Sequence, residues 1–272
     1  FGHGGAPRLG VVGAGISSTL SFSFMALALA GYLYWDRRFR RYHILGHWWR
    51  ADWPAFRELV RIGTPMALAM GFEVTGFIAA AMLMGLISAE SLAAHAIALQ
   101  VASATFMVPL GISQAATVRV GLAAGAADGD GVRRAGWVAL ALGVGFMTVT
   151  ALVLLMAPGP IVHLFLDPAR PENLPVAQLA AGFLAIAGMF QIVDGAQVVG
   201  AGCLRGLKDT RVPMLFAGLG YWLIAIPLGA ALAFRGGWAG RGIWVALAVG
   251  LGVVAALMVG RWSMRHRLGL VR

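Results

Sequence analysis

Seven stretches of predominantly apolar residues, each about as long as a bilayer is thick, run through this chain of 272 residues. An α-helix needs about 20 such residues to cross the hydrocarbon core. Apolar residues make up 60% of the chain and charged residues only 12%, whereas a soluble domain carries roughly 25% charged residues. The sequence therefore predicts an all-α polytopic membrane protein. The predicted spans cover residues 11–35, 62–87, 93–118, 135–156, 176–204, 212–234 and 243–262.

The basic residues predict the orientation of these spans. Of the 21 Lys and Arg, 17 lie in alternate inter-helix segments or in the C-terminal tail, and only Arg8, Arg170, Arg235 and Arg241 lie in the other segments. Cytoplasmic loops carry an excess of Lys and Arg. We therefore expect an inner (plasma) membrane protein with the basic loops and the C-terminus in the cytoplasm and the N-terminus outside. This distribution accounts for the pI of about 11.3 without nucleic acid as a partner.

A basic segment over residues 36–61 separates the first span from the other six. It mixes seven Arg with three Trp, which is typical of the headgroup layer, and from Asp52 onward it predicts an amphipathic helix that leads into the second span. Two-lobed transporters have this organisation, and we expect further helices before Phe1. The predicted parts are the last helix of a first lobe (1–35), a cytoplasmic linker (36–61), a six-helix lobe (62–262) and a cytoplasmic tail (263–272).

Two acidic residues, Glu73 and Asp194, lie inside long apolar stretches, whereas the other nine lie in loops or near helix ends. A carboxylate at the centre of a bilayer costs about 2.5–3.5 kcal/mol on insertion scales. Such residues usually face the interior of a helix bundle or a wet cavity, where they bind protons, ions or substrate. We therefore predict that Glu73 and Asp194 carry the function.

Polar side chains also recur at helical spacing on two of the predicted spans. In lipid, a polar stripe must face other helices or water. Such a stripe indicates either the wall of a substrate cavity or hydrogen bonds between helices, and the sequence leaves both interpretations open. The residues are Gln100, Ser103 and Gln114 on the third span, with Met107 between them, and Gln191, Asp194 and Gln197 on the fifth.

The remaining reactive side chains predict neither an enzyme nor a certain metal site. Cys203 is the only cysteine, and its place near the end of a span favours a packing role. The six His show no metal-ligand spacing, and the sequence lacks a Ser/His/Asp set, an HExxH motif and a CxxC motif. Asp209 and Thr210 fall in a short turn, where we expect Asp209 to cap the sixth span.

Several segments resemble the multidrug and toxic compound extrusion (MATE) transporters of the NorM type. The first two helices of their C-terminal lobe are similar to GTPMALAMGFEVTGF (63–77) and to the segment from SAESLAAHAIALQ (88–100) through Gly121. Later helices are similar to DGAQVVGAGCLRGLKDTRVPM (194–214) and YWLIAIPLG (221–229). The resemblance covers essentially the whole chain and implies the six-helix C-terminal lobe, plus the last helix of the N-terminal lobe, of a twelve-helix transporter.

The resemblance implies a monomeric secondary antiporter that exports organic cations, drugs or other amphiphilic compounds by alternating access, driven by H⁺ or Na⁺ and with no other cofactor. Its partners would be these small molecules, membrane lipid and the N-terminal lobe. Glu73 and Asp194 match the C-lobe acids that family members use for the coupling ion. Phe190 and Phe106 stand where some members carry an aromatic hydroxyl, and this departure disfavours Na⁺, which needs several oxygen ligands.

Other classes of function remain open at the level of the sequence. A flippase for lipid-linked saccharides on a related fold would favour cationic residues inside the spans to hold a pyrophosphate, whereas the spans here hold Lys and Arg only near their ends. A seven-helix receptor would account for seven spans with the N-terminus outside. It would not require two buried acids or the division of the helices into one plus six.

Overall fold

The computed structural model describes residues 10–36, 52–167 and 170–270. The chain divides into two compact units, residues 1–58 and 59–272. In the first unit, helix α1 (Gly10–Trp35) presents mostly exposed side chains. The Arg and Trp residues predicted for the linker between positions 37 and 51 lie outside the described residues.

Seven helices in the described ranges are long and apolar enough to cross a membrane, which confirms the predicted number. Most of them run past the predicted ends, because their polar ends continue the helix beyond the apolar core. The six that follow α1 are α2 (Trp53–Ile87), α3 (Ala89–Gly125), α4 (Gly129–Met156), α6 (Leu174–Gly206), α7 (Arg211–Arg235) and α8 (Ala239–Ser263). A short helix α5 (Pro158–Val162) and a 3₁₀ turn (Pro171–Asn173) lie between α4 and α6.

Polar side chains fix where three of these helices begin. Asp52 accepts a hydrogen bond from the backbone N–H of Ala55 at 3.1 Å, so the predicted interfacial helix and the second span form the single helix α2. Ser88 accepts from the N–H of Ser91 at 3.0 Å, and Asp128 accepts from the N–H of Gly131 at 2.8 Å. Each oxygen satisfies one of the first-turn donors that have no partner within the helix.

Helix α7 is not a regular α-helix. It alternates α-helical segments (Arg211–Gly218 and Ile226–Ala230) with π-helical segments (Leu219–Ala225 and Ala231–Arg235). Wide π-turns are uncommon and occur frequently at functional sites. The first of them contains Tyr221, which is completely buried.

The buried side chains form two hydrophobic clusters. The first contains the aromatic residues Phe183, Phe190, Tyr221 and Trp244 together with small and aliphatic residues of α2, α3, α6, α7 and α8. The second contains Cys203, Val199 and Trp262. The Cys203 thiol is buried and lies 3.9 Å from the carbonyl oxygen of Gly136, in agreement with the predicted packing role.

Small residues bring α3 and α6 into close contact. The hydroxyl groups of Ser113 and Thr117 donate to the carbonyl oxygens of Val198 (2.7 Å) and Gly202 (2.9 Å) across the two helices. A Cβ atom at Gly202 would lie 2.5 Å from the backbone oxygen of Ser113. Gly202 and Gly206 form a GxxxG motif, which is typical of closely packed helices in membranes.

The predicted capping role of Asp209 is wrong. Thr210 occupies the N-cap position of α7, and no side chain there bonds to the helix. The carboxylate of Asp209 instead accepts a hydrogen bond from Nε of Arg261 at 2.5 Å, and both side chains are largely buried. The carboxylate therefore joins the turn before α7 to the end of α8. Sequence patterns for helix starts do not predict such an ion pair between distant segments.

Candidate ion and substrate site

The polar face predicted on α6 lies inside the six-helix unit. Gln191, Asp194 and Gln197 are all buried, with at most 6% of each residue exposed. The hydroxyl of Thr150 on α4 donates to Oε1 of Gln191 at 2.8 Å. Nε2 of Gln191 and Oε1 of Gln197 have no hydrogen-bond partner in the described part of the chain, so these amides are available to water or to a bound molecule.

Glu73 lies on the face of α2 that packs toward α6 and α7. Three and four residues after it on this face, Gly76 and Phe77 contact Tyr221 of α7, and Phe77 also contacts Phe190 of α6. The Glu73 carboxylate is within range of direct electrostatic interaction with Asp194. The structure thus brings together the two acids that the sequence singles out.

Neither acid has a hydrogen-bond or ion-pair partner among residues 10–36, 52–167 and 170–270. Arg205, in the last turn of α6, interacts electrostatically with Glu73. Buried charges in proteins are normally paired or bind an ion. The arrangement therefore has the chemistry of a site that exchanges a proton or cation.

An aromatic ring lies one helical turn from each of the two acids. The centroid of the Phe190 ring, one turn before Asp194, lies 6.2 Å from the ring centroid of Phe77 and 5.8 Å from that of Trp244 on α8. Both contacts are edge to face. The ring centroids of Phe77 and Tyr221 are 6.0 Å apart. Aromatic faces attract organic cations, and such rings beside carboxylates suit a cationic, partly apolar ligand.

Tyr221 is the site residue that the sequence analysis missed. It interacts electrostatically with both Glu73 and Asp194, and its hydroxyl has no hydrogen-bond partner in the described ranges. The absence of a hydroxyl at Phe190 and Phe106 therefore does not leave this region without an aromatic oxygen. The available signal was the single Tyr in the apolar segment 212–234, which has to face protein or water for its hydroxyl to be satisfied.

The polar stripe predicted on α3 lies elsewhere. Gln100, Ser103 and Met107 are exposed on the surface of the six-helix unit. Phe106 is half-buried and packs against the second hydrophobic cluster, around Cys203. The structure therefore does not bring these four residues into the aromatic cluster around Glu73 and Asp194.

No group of three or more His, Cys, Asp or Glu side chains in the described ranges could hold a metal ion. A monovalent cation at Glu73 and Asp194 would have to find further oxygen ligands. The hydroxyl of Tyr221 and the amide oxygen of Gln197 are the buried oxygens without partners in the same bundle.

The family of this chain follows from a direct match. The MatE family model covers residues 65–231, which is more than half of the chain. The chain belongs to the MATE family. Members of this family are membrane transporters rather than enzymes, as the sequence analysis predicted. The match includes Glu73, Asp194 and Tyr221, so the whole candidate site lies within the family region of this MATE chain.

Curated relatives agree with this assignment. A probable multidrug resistance protein NorM of Mesorhizobium japonicum is 52% identical over 268 residues, covering 98% of this chain and 57% of the relative. The multidrug resistance protein NorM of Burkholderia vietnamiensis is 48% identical over 265 residues, covering 97% of this chain and 57% of the relative. The MATE chain thus spans just over half the length of these relatives.

Solved structures confirm the fold. The eukaryotic MATE transporter AtDTX14 superposes with a TM-score of 0.83 at 21% identity, covering 94% of this chain and 56% of that structure. A MATE transporter in the bent conformation superposes with a TM-score of 0.80 at 16% identity, covering 96% of this chain and 56% of that structure. At these identities the likeness shows the fold, and the predicted all-α membrane architecture of part of a MATE transporter is confirmed.

Proposed function

We propose that this chain is part of a secondary antiporter, in the inner membrane, that exports organic cations, drugs or other amphiphilic compounds in exchange for H⁺ or Na⁺. The observation that carries the proposal is the pair Glu73 and Asp194: two acids on different helices, within electrostatic range of each other, without protein partners in the described ranges and bordered by aromatic rings. The names of the NorM relatives support drug export as the direction of transport.

Antiport requires that the coupling ion and the substrate exclude each other at some stage of the cycle. A carboxyl pair meets this requirement, because a proton or Na⁺ on Glu73 or Asp194 removes the negative charge that attracts a cationic substrate. Arg205 supplies a fixed positive charge that interacts with Glu73, and it favours release of the bound cation on its side of the pair. Rocking of two lobes around the shared site would give alternating access.

The proposal is tested in the protein that contains this chain together with its N-terminal lobe. Glu73→Gln and Asp194→Asn should each abolish most cation-driven dye efflux from proteoliposomes, because each removes a charge that the ion and the substrate share. Neutralising an acid within a span slightly favours insertion, so the protein level should not fall.

Glu90→Gln is the matched control, since Glu90 is an exposed acid in the first turn of α3, and it should retain wild-type transport. Wild-type efflux in both Glu73→Gln and Asp194→Asn, at equal protein level, would contradict the proposed function. A parallel series with Na⁺ or proton gradients alone identifies the coupling ion.

The extent of the chain leads to a second expectation under the same proposal. A substrate cavity shared by two lobes has only one wall in the six-helix unit, and the exposed polar stripe on α3 suits a surface that meets the other lobe. We expect residues 1–272 alone to insert, because every helix satisfies its own backbone hydrogen bonds, but to give no vectorial dye efflux. Efflux by this segment alone at the rate of the complete transporter would contradict a two-lobed mechanism.

A further inference from the structure

His95 is the most unusual buried side chain in the six-helix unit. It lies on α3, is only 1% exposed, and both of its ring nitrogens are without a hydrogen-bond partner in the described part of the chain. A neutral imidazole always carries one N–H donor and one acceptor nitrogen. Leaving such groups unsatisfied in an apolar medium costs about 1–3 kcal/mol each, so a further molecule is needed to satisfy them.

Two aromatic side chains in the same part of the six-helix unit also carry polar atoms without partners. Nε1 of Trp244 and the hydroxyl of Tyr221 are also buried and without partners in the described ranges. The ring centroids of His95 and Trp244 are 5.4 Å apart, and ring contacts continue from Trp244 through Phe190 and Phe77 to Tyr221. Buried polar groups that lack protein partners are normally bridged by internal water.

The two ends of this cluster lie at different depths in the membrane. His95 is six residues, about 9 Å, from the start of α3, and the buried Ser91 lies one turn before it toward the predicted external surface. The other end reaches Phe190, one turn before Asp194, and Tyr221. The cluster therefore extends from near one membrane surface to the acids that the proposed function uses.

The charged groups around the cluster come from four helices. Helix α2 contributes Glu73 and α6 contributes Asp194. Helix α3 carries Glu90, which is exposed at its start, and α8 carries the exposed Arg241, three residues before Trp244. None of them forms an ion pair with His95 in the residues that the structure describes. Apart from Tyr221, the imidazole is therefore the only buried titratable group among the described residues of this cluster between the surface and the acid pair.

We propose that His95, Trp244 and Tyr221 line a buried, water-holding path along which protons pass between the predicted external surface and the Glu73–Asp194 pair. Resting on the proposed antiport function, this assignment implies that H⁺ can be the coupling ion. His95 is a relay residue: one ring nitrogen accepts the excess proton of a protonated water on the surface side, while the other nitrogen gives up its proton to a water on the acid side.

The transfer leaves the imidazole neutral and in its other tautomer, and the displaced proton ends on a carboxylate. A ring flip or the reverse tautomer shift then restores the starting state. No net charge stays on His95, so the relay does not require a lasting cation in the apolar cluster. Trp244 and Tyr221 act as positioning residues, because an N–H and an O–H hold the bridging waters in place.

The first experiment tests the water directly in the wild-type protein with its N-terminal lobe. Radiolytic hydroxyl-radical footprinting labels side chains that contact bound water. We expect His95, Trp244 and Tyr221 to be oxidised readily in spite of their burial, whereas Phe183, which is completely buried in the same hydrophobic cluster, remains protected. Protection of all four residues would show that the cluster is dry and would overturn the proposal.

The second experiment tests proton transfer. His95→Gln keeps an amide donor and acceptor of similar reach but cannot relay a proton. Proton-driven efflux should therefore slow by about tenfold or more; loss of a proton-transfer group commonly costs about 10²–10⁴-fold in rate. The dependence of the rate on external pH should flatten, while equilibrium substrate binding stays unchanged. His163→Gln, at an exposed His near the predicted external surface, should behave as wild type.

The outcomes separate the relay from the antiporter itself. Proton-driven efflux at the wild-type rate in His95→Gln overturns the relay and leaves the antiporter intact. Loss of substrate binding and folded protein in His95→Gln, together with protection from labelling in the wild type, assigns His95 to packing. If efflux by the wild-type protein responds to Na⁺ and not to pH, the relay is overturned. If the wild-type protein shows no ion-driven efflux at all, the proposed function is overturned as well.

Discussion

The crossing of α3 and α6 gives a quantitative test of the packing. Gly202→Ala adds one methyl group where its carbon would lie 2.3 Å from Oγ and 2.5 Å from the backbone oxygen of Ser113. A side chain can rotate away from such a contact, but a backbone oxygen within a helix cannot. The two helices must therefore separate, and the hydrogen bonds from Ser113 and Thr117 across the crossing lengthen with them.

The magnitude follows from three contributions. Overpacking against rigid neighbours costs about 3 kcal/mol at the upper end of its usual range. The two interhelical hydrogen bonds are worth about 0.6 kcal/mol each in membrane proteins. Replacement of Gly by Ala within a helix returns about 1 kcal/mol through helix propensity. The free energy of unfolding of Gly202→Ala should therefore fall by about 3 kcal/mol.

The chain supplies its own reporter for this experiment. Cys203 is the only cysteine, and it is completely buried next to Gly202. A maleimide dye that fluoresces on reaction with a thiol therefore reports opening of α6 during thermal or denaturant unfolding in detergent. Reaction of Cys203 in Gly202→Ala should begin at lower temperature and lower denaturant concentration than in the wild type.

Gly111→Ala is the matched control. Gly111 lies on α3, two residues before Ser113, and a Cβ atom there would meet nothing within 4 Å. This substitution should stabilise the protein slightly, because only the propensity contribution remains. Equal unfolding curves for Gly202→Ala and Gly111→Ala would refute the close approach of α3 and α6.

Three further predictions concern other contacts and the orientation. Thr150→Val should destabilise the protein by about 1–3 kcal/mol in the same thiol assay, because it leaves Oε1 of the buried Gln191 without its donor. Thr148→Val removes only a hydrogen bond within α4 and should cost less. Equal effects of the two substitutions would argue against the link between α4 and α6. Arg261→Ala should cost about 3 kcal/mol by leaving the largely buried Asp209 unpaired, while Asp130→Ala, which removes an exposed ion pair, should change stability by less than about 1 kcal/mol. Reporters fused after Gly129 or Arg267 should be cytoplasmic and those after Glu90 or Gly237 external, and a Glu90 tag that is protected from external protease in intact cells would contradict the orientation.

The number of spans could be predicted from the sequence, and the two acids within the spans could be singled out, because both depend on the bilayer alone. A run of about 20 apolar residues is needed to cross it, and a charge such as that of Asp194 is conspicuous within such a run. The α6 stripe was predictable for the same reason, since Gln191, Asp194 and Gln197 share one helical face and that face has to avoid lipid.

The sequence does not determine which helices meet. Surfaces that face lipid and surfaces that face protein are both apolar in a membrane protein, so the spacing on α3 could not show that Gln100, Ser103 and Met107 lie on the exposed surface. The position of Tyr221 next to the acids depends on the fold of α7, whose π-turns leave no clear pattern in the sequence. Asp209 was misassigned because its partner Arg261 lies 52 positions further along the chain.

The wide turns of α7 tie the position of one hydroxyl to the length of the helix. A π-turn accommodates one residue more than an α-turn, so deletion of a single residue within Leu219–Ala225 would allow that segment to become a regular α-helix. The helical segments on either side would keep their orientation, whereas the side chains inside the shortened segment would move to new positions around the helix axis. Tyr221 lies against Gly76 of α2 only in the present register, so natural variants with an insertion or deletion here would differ in whether an oxygen from α7 reaches the acid pair.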